Sequence, residues 1–245
     1  MLVATYNAHR GRGPAGWFRP DRILGVIAEI RPDLIALQEA QHYLRRGTPM
    51  LDGRMLAEEL GLRALAATER PDHQGWRSNL LLVRRDALVL DGPVGLRLGG
   101  LEPRGALLAV LDLGGGPLRV IGTHLSLGAR QRQRQAAALL DAMATGPGQG
   151  LPTLLLGDLN EWRTRRGALG VLAPVFGEPA PAPSFPAFHP VASLDRILGL
   201  PRGLVARVEV HDTRLARRAS DHLPVKAWLD AGLLSRAGAC GGAAA

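Results

Sequence analysis

Leu151-Pro152-Thr153-Leu154-Leu155-Leu156-Gly157-Asp158-Leu159-Asn160 is the stretch on which the fold turns. Its apolar run reads as a buried strand. Asp158 and Asn160 stand two residues apart on an extended segment, so their side chains point to one side. At the end of a strand they can face a single small pocket. There a carboxylate can hold a metal or orient a water, and a carboxamide can hold a phosphoryl oxygen or the same metal.

Strand-like and helix-like runs spread outward from that motif. Residues 2–6 form a first strand. Residues 21–30 carry a helical stripe of Ile23, Leu24, Ile27 and Ile30, ended by Pro32, and 33–37 form a second buried strand. Helices are expected at 50–60, closed by Gly61, at 129–144, and in short form at 165–172. Strands are expected at 63–67, 78–84, 87–90, 104–113 and 118–123, the last two joined by a hairpin at Gly114-Gly115-Gly116. Closing strands fall at 194–198, 203–210 and 223–229. Residues 178–190 hold five prolines and read as irregular surface chain. Two strand-and-helix halves with adjacent strands point to an α/β sandwich of mixed sheets. No Gly-x-Gly-x-x-Gly loop joins the first strand to the first helix, which argues against a dinucleotide-binding domain. One domain over 1–230 is expected, followed by a flexible Gly/Ala-rich tail over 231–245.

Composition narrows the function classes. The 245 residues are 46% hydrophobic, enough for a sizeable core. No apolar run approaches the length that spans a bilayer. The opening residues lack the features of a signal peptide. A single cysteine, Cys240, excludes a disulfide framework and a cysteine-based zinc site. A reducing cytoplasm is the expected location and a monomer the expected state. The net charge of +8 suits an anionic partner. That sign carries limited weight, because all but one of the 30 basic residues are arginine, the bias of a GC-rich genome.

Further polar islands each sit at the end of an apolar run. Asn7-Ala8-His9 closes the first strand, where Asn also serves as ordinary turn chemistry. Glu39 follows 33–37 and is either a metal ligand at a strand end or an acid at a helix start. Thr123-His124-Leu125 closes another strand. The Arg-Gln repeat at 130–135 reads as a solvated helix face. Asp195 lies inside a short apolar strand, where an acid needs a partner. Ser220-Asp221-His222 precedes the last strand and offers a metal ligand beside a general base.

The ordered series Tyr6-Asn7, Gln38-Glu39, Thr123-His124-Leu125, Gly157-Asp158-Leu159-Asn160, Leu194-Asp195-Arg196-Ile197 and Ser220-Asp221-His222 resembles the endonuclease/exonuclease/phosphatase superfamily. Arg132 and Gln135 on the helix after His124 look like those of its small bacterial members. The resemblance spans about residues 1–230. It implies a four-layered α/β sandwich, two central mixed sheets flanked by helices, as in deoxyribonuclease type I. It also implies a hydrolase that cleaves phosphoesters by direct attack of water. Glu39 and Asn7 would bind Mg²⁺ or Mn²⁺, with Asp221 nearby. Asp158 would orient or deprotonate the water, and Asn160 would hold it or the phosphoryl group. His222, paired with Asp195, would contact the phosphoryl oxygen or act as base. His124 would stabilise the phosphoryl oxygens or protonate the leaving group. Asn79 and Arg104 lie where relatives contact substrate. His9 stands where abasic-site nucleases have Asp, which puts a second metal in doubt. No Glu is evident as a partner for His124, and Asn79 is the candidate in its place.

The expected substrate is a phosphodiester, with nucleic acid first and a phospholipid headgroup second. Small phosphomonoesters come third. An aromatic content of 4% leaves few platforms for stacking single strands. The loop Gly16-Trp17-Phe18-Arg19 either dips into a membrane interface or, more simply, packs on the domain as a lid. Trp76 allows the same two readings. A binding module without catalysis is the alternative class, against which the full set of polar islands argues.

Overall fold

The structure, a computed structural model, describes residues 1–42, 44–45, 48–67, 74–100, 102 and 104–235. Two sheets are present among them. The first has six strands in the order β10 (Val205–Val210), β11 (Val225–Leu229), β1 (Leu2–Asn7), β2 (Leu34–Gln38), β4 (Leu80–Arg84) and β3 (Leu62–Leu65). The second has five, in the order β5 (Leu88–Arg97), β6 (Gly105–Asp112), β7 (Pro117–His124), β8 (Thr153–Asp158) and β9 (Asp195–Leu200). Each sheet mixes parallel and antiparallel pairs: β1 runs parallel to β2, and β7 parallel to β8. All their other pairings are antiparallel.

Period-two alternation sorts the strand side chains into separate cores. Val3, Leu34, Ala36 and Leu81 face Leu107, Val120, Leu154 and Leu156 across the gap between the sheets. On the outer side of the first sheet, Ala4, Tyr6, Ile35 and Leu37 pack on α1 (Pro20–Ile30), α2 (Gly53–Glu58) and α5 (Ala216–Ala219). On the outer side of the second, Leu108, Ile121, Leu155 and Leu198 pack on α3 (Ala129–Thr145) and α4 (Gly167–Phe176). The result is the four-layered sandwich expected from the resemblance, with helices outside two central mixed sheets. Among the described residues no helix is long and apolar enough to cross a membrane.

Several boundaries differ from the expectation for local reasons. The helix expected at 50–60 spans only Gly53–Glu58, because the Asp52 carboxylate caps it by accepting from the Arg54 amide at 2.7 Å. Met50 and Leu51 are buried ahead of it as loop anchors. Strand β5 continues well past residue 90, through Gly92-Pro93, because it lies at a sheet edge where proline is tolerated. Its register shifts between Asp91 and Val94, on either side of that pair. Residues 231–235, expected as the start of a tail, are helical and seat Leu234 in the inter-sheet core. Residues 236–245, with Cys240, lie outside the described residues.

Gly157 is fixed by the close approach of β7 and β8. Thr123 and Gly157 are register partners, φ at Gly157 is +152°, and an added Cβ would lie 1.9 Å from the Thr123 carbonyl oxygen. Backbone on both sides leaves nothing flexible to give way. Gly157→Ala is therefore expected to cost about 1–3 kcal/mol, read as a lower midpoint in urea unfolding. A wild-type midpoint would contradict this account of the motif's glycine.

Candidate active site

The inward faces of the strands carry polar groups once they reach one edge of the sandwich. Val3 and Thr5 lead to Asn7, Val120 and Gly122 to His124, and Leu154 and Leu156 to Asp158. In β9, which runs the other way, Ile197 leads back to Asp195. His124, Asp158 and Asp195 are register neighbours across three strands of the second sheet. Asn7 approaches them from the first sheet.

The Asp158 carboxylate, 1% exposed, is the centre of the group. Its Oδ2 accepts from Asn7 Nδ2 at 3.0 Å and faces His124 Nε2 at 3.3 Å and His222 Nε2 at 3.8 Å. Its Oδ1 accepts from the Asn160 amide at 2.9 Å, an Asx turn that holds Asn160 at φ +51°. Burial works to raise the Asp158 carboxyl, but the two imidazoles and the Asn7 amide outweigh it and hold the group well below the usual carboxylate range.

His222 lies between two acids. Its Nδ1 is 2.8 Å from Asp195 Oδ2, while Nε2 faces Asp158. Burial alone would lower the imidazole, yet Asp195, Asp158 and Asp221 push it up to about 10. Both its nitrogens therefore carry protons at neutral pH. Burial raises the Asp195 carboxyl, only partly offset by His222 and by the Ser184 hydroxyl. Ser184 donates to Asp195 Oδ2 at 2.6 Å, and the ring of Phe185 lies 4.8 Å from the His222 ring. The 3.8 Å between His222 Nε2 and Asp158 Oδ2 exceeds hydrogen-bond length. An oxygen lying off the line between them can bond to both.

His124 has a different partner from the one expected. Arg104 Nη1 lies 2.7 Å from its Nδ1. A guanidinium only donates, so Nδ1 accepts and the ring proton sits on Nε2, facing Asp158. Arg104 is in turn held by Glu102 at 3.2 Å. Asn79, the candidate partner from the sequence, is instead turned to backbone. Its amide donates to the carbonyls of Gly105 at 3.0 Å and Trp76 at 3.3 Å, and its Oδ1 is buried with no protein partner.

The remaining expected residues lie at the rim. Asn7 is in register with Gln38, so Glu39 leaves β2 one residue further on, beside the turn after Asn7. Glu39 is partly exposed, with Arg10 at 3.6 Å. His9 Nδ1 reaches Asp221 Oδ1 at 3.4 Å and the Arg12 carbonyl at 3.0 Å. Glu39, His9, Arg10, Arg77, Ser78 and Asn160 all have positive φ. Such non-glycine outliers cost free energy and persist where surrounding structure over-determines them, commonly at functional sites.

Two donor sets could hold a divalent ion. Among the described residues, Asp158, Asp195 and His222 form the one acid and imidazole group whose ligand atoms all lie within 4.8 Å of one another. That set fits an ion poorly, because His222 Nδ1 and Asp195 Oδ2 already bond each other at 2.8 Å. The Glu39 carboxylate and Asn7 Oδ1, with Asp221 at the rim, offer hard oxygen donors. Among the described residues Asn7 Oδ1 accepts from the His9 amide alone, at 3.0 Å, which leaves a lone pair. By donor chemistry this second set suits a hard divalent cation.

Sequence reading missed the supports beneath the site. Ser184 lies in the proline-rich stretch read as irregular surface, yet it is fully buried. Within the Arg-Gln repeat, Arg132 and Gln135 are buried rather than solvated. Arg132 pairs with the buried Glu161 at 3.3 Å and donates to the carbonyls of Ser126 and Leu127. Gln135 binds Ser126 and Gly99. Together they tie the loop after His124 to the loop after Asn160. The available signal was spacing, since positions 132 and 135 share one helix face with Ala136 and Leu139.

Comparison with known proteins gives a consistent result. The model described as the endonuclease/exonuclease/phosphatase family matches residues 4–222. An uncharacterised Escherichia coli protein, YbhP, is 32% identical over 138 residues, 52% of this chain and 53% of that protein. The chain thus spans about half the length of the curated relative it matches. A mannosyl-6-phosphatase of Bacteroides thetaiotaomicron superposes with a TM-score of 0.73 at 20% identity, covering 94% of this chain and 99% of that one. The human nocturnin catalytic domain, with a bound sulfate anion, superposes with a TM-score of 0.64 at 19% identity, covering 93% and 92%. At these identities the two structures bear on fold alone.

The proton on His222 has a measurable signature. Its pKa is raised on folding, from about 6.5 in an unfolded chain. Its contribution to stability is therefore complete below about pH 6.5 and is lost as pH rises towards about 10. In EDTA, the melting-temperature gap between wild type and His222→Gln should be widest near the acid end of that window and close towards its alkaline end. A gap that stays constant across the window would contradict the assignment.

Proposed function

The chain belongs to the endonuclease/exonuclease/phosphatase family, and from that premise we propose that it hydrolyses a phosphodiester in a divalent-metal-dependent reaction, by direct attack of water. Members of this family are phosphoesterase hydrolases, generally dependent on a divalent metal. The observation that carries the reading is the convergence of the Asn7 amide and two imidazoles on one buried, ionised carboxylate, Asp158. No residue of the set is an activated serine or cysteine nucleophile, which favours a single displacement.

Each role follows from the hydrogen bonding. Asp158 accepts from a water and aligns it. Its low pKa makes it an orienting group first and a proton acceptor only as the attack proceeds. His222 carries protons on both nitrogens, which suits it to contact a phosphoryl oxygen and to stabilise charge there. Asp195 and Ser184 fix its orientation. His124 presents its Nε2 proton to the same space, and Arg104 holds its tautomer. The Asn160 side chain, which donates to the Leu125 carbonyl at 3.0 Å, keeps the loops after β7 and β8 together around the reacting group. Glu39 and Asn7, with Asp221, would hold Mg²⁺ or Mn²⁺, and a bound ion would neutralise charge on the phosphoryl oxygens. The net charge of +8 favours an anionic diester.

Release of p-nitrophenol from bis-p-nitrophenyl phosphate, with Mg²⁺ or Mn²⁺ and with EDTA, is the direct assay. Wild type should turn over only with metal. Asp158→Ala and His222→Ala should each lower kcat/KM by about 10²–10⁴ with the fold intact. Glu39→Gln should move the metal titration to higher concentration. Wild-type rates in either alanine variant would refute its role, and an unchanged metal titration would reject Glu39 as a ligand. Absence of metal-dependent turnover by wild type on any phosphoester would overturn the hydrolase reading.

A further inference from the structure

Six of the eight exposed large apolar side chains among the described residues lie on loops at the strand ends that carry the candidate site. Trp17 lies on the loop after Asn7, Leu44 after Glu39, Leu127 after His124 and Trp162 after Asn160, while Phe188 and Val191 precede Asp195. They are between 61% and 76% exposed. The other two, Leu88 and Leu90, lie on the edge strand β5. The loops that carry them leave or enter strands of both sheets at the edge where Asn7, His124, Asp158 and Asp195 lie. Neighbouring residues show that this exposure is selective. Phe18 packs against His42 at 4.5 Å and Trp76 is buried, so the lid reading suits these two and not Trp17. Apolar groups this exposed at one edge mark a contact surface.

We propose that this edge docks on a bilayer of anionic phospholipid, so that the phosphoester is presented to the site from the membrane surface. The inference rests on the phosphoesterase reading for what the docked edge does, not for the docking itself. Three features favour lipid. Cations are interleaved with the apolar groups: exposed Arg45 adjoins Leu44, Arg130 follows Leu127, and Arg166 follows Trp162. Apolar side chains with arginines between them match an anionic interface, where the first enter the acyl boundary and the second meet headgroups. Leu44, Leu127 and Val191 have no π face, so half of the set cannot stack a nucleobase. A protein partner seated on this rim would cover the opening, whereas a lipid surface supplies the substrate.

Flotation with vesicles tests the docking without turnover. Wild type in EDTA should float with vesicles of phosphatidylglycerol and phosphatidylcholine, and far less with phosphatidylcholine alone. Trp17→Ser combined with Phe188→Ser should lower partitioning by roughly tenfold or more. The melting temperature and the metal-dependent turnover of bis-p-nitrophenyl phosphate should be unchanged. Leu127→Ser combined with Val191→Ser, on other loops of the rim, should act the same way. Failure of wild type to float, or flotation that neither double variant reduces, would overturn the proposal. So would binding to a single-stranded oligonucleotide that the same variants abolish while vesicles bind nothing. Flotation without turnover on any ester would retain the docking surface and remove the hydrolase reading alone.

Discussion

One hydrogen bond, from Asn7 Nδ2 to Asp158 Oδ2, joins the two sheets where their inward faces turn polar. Below it the core between the sheets is largely apolar, and above it lie the loops that follow the strands. A buried carboxylate at such a seam is costly unless its partners are complete. Here each sheet contributes one: Asn7 from the first and His124 from the second, with His222 arriving on the loop before β11. The relative placement of the sheets therefore sets the geometry of the site. A small shift between the layers would break the contacts that keep Asp158 charged.

The polar centre is supported by further groups that hold its side chains in place. Ser184 and Asp195 hold His222, Glu102 and Arg104 hold His124, and the buried Arg132–Glu161 pair holds two loops at once. Breaking such a buried pair by removing one partner typically costs about 3–5 kcal/mol, because the other charge is left stranded. Outside these groups the rim carries polar residues such as Glu39 and His9 together with exposed apolar side chains. A polar centre flanked by exposed apolar side chains and arginines suits a substrate whose phosphate is held firmly and whose remainder stays in another phase.

Much of this was legible in the sequence because strand alternation is a strong signal. Leu154, Leu156 and Asp158 fall on one face by period two alone, and the same holds for Val3, Thr5 and Asn7. The order of the polar islands carried the family and, through it, the four layers. What escaped reading depends on contacts distant in sequence. Nothing near His124 announces that Arg104 will cap its Nδ1, and nothing near Asp195 points to Ser184, eleven residues earlier in a proline-rich stretch. Arg132 looked solvated because its neighbours Gln131 and Gln133 are polar, although its helix face is buried. Exposure of Trp17 beside the partly packed Phe18 is likewise a tertiary outcome, since adjacent residues in a loop carry no periodicity.

The central claim is that Asp158 aligns a water for one in-line displacement at phosphorus. The most direct measurement is the stereochemical course of hydrolysis of a chiral phosphorothioate diester in ¹⁸O-labelled water, in the presence of Mg²⁺ or Mn²⁺. A single attack by water predicts inversion of configuration at phosphorus. Retention would require two displacements through a covalent enzyme intermediate, and would contradict the account.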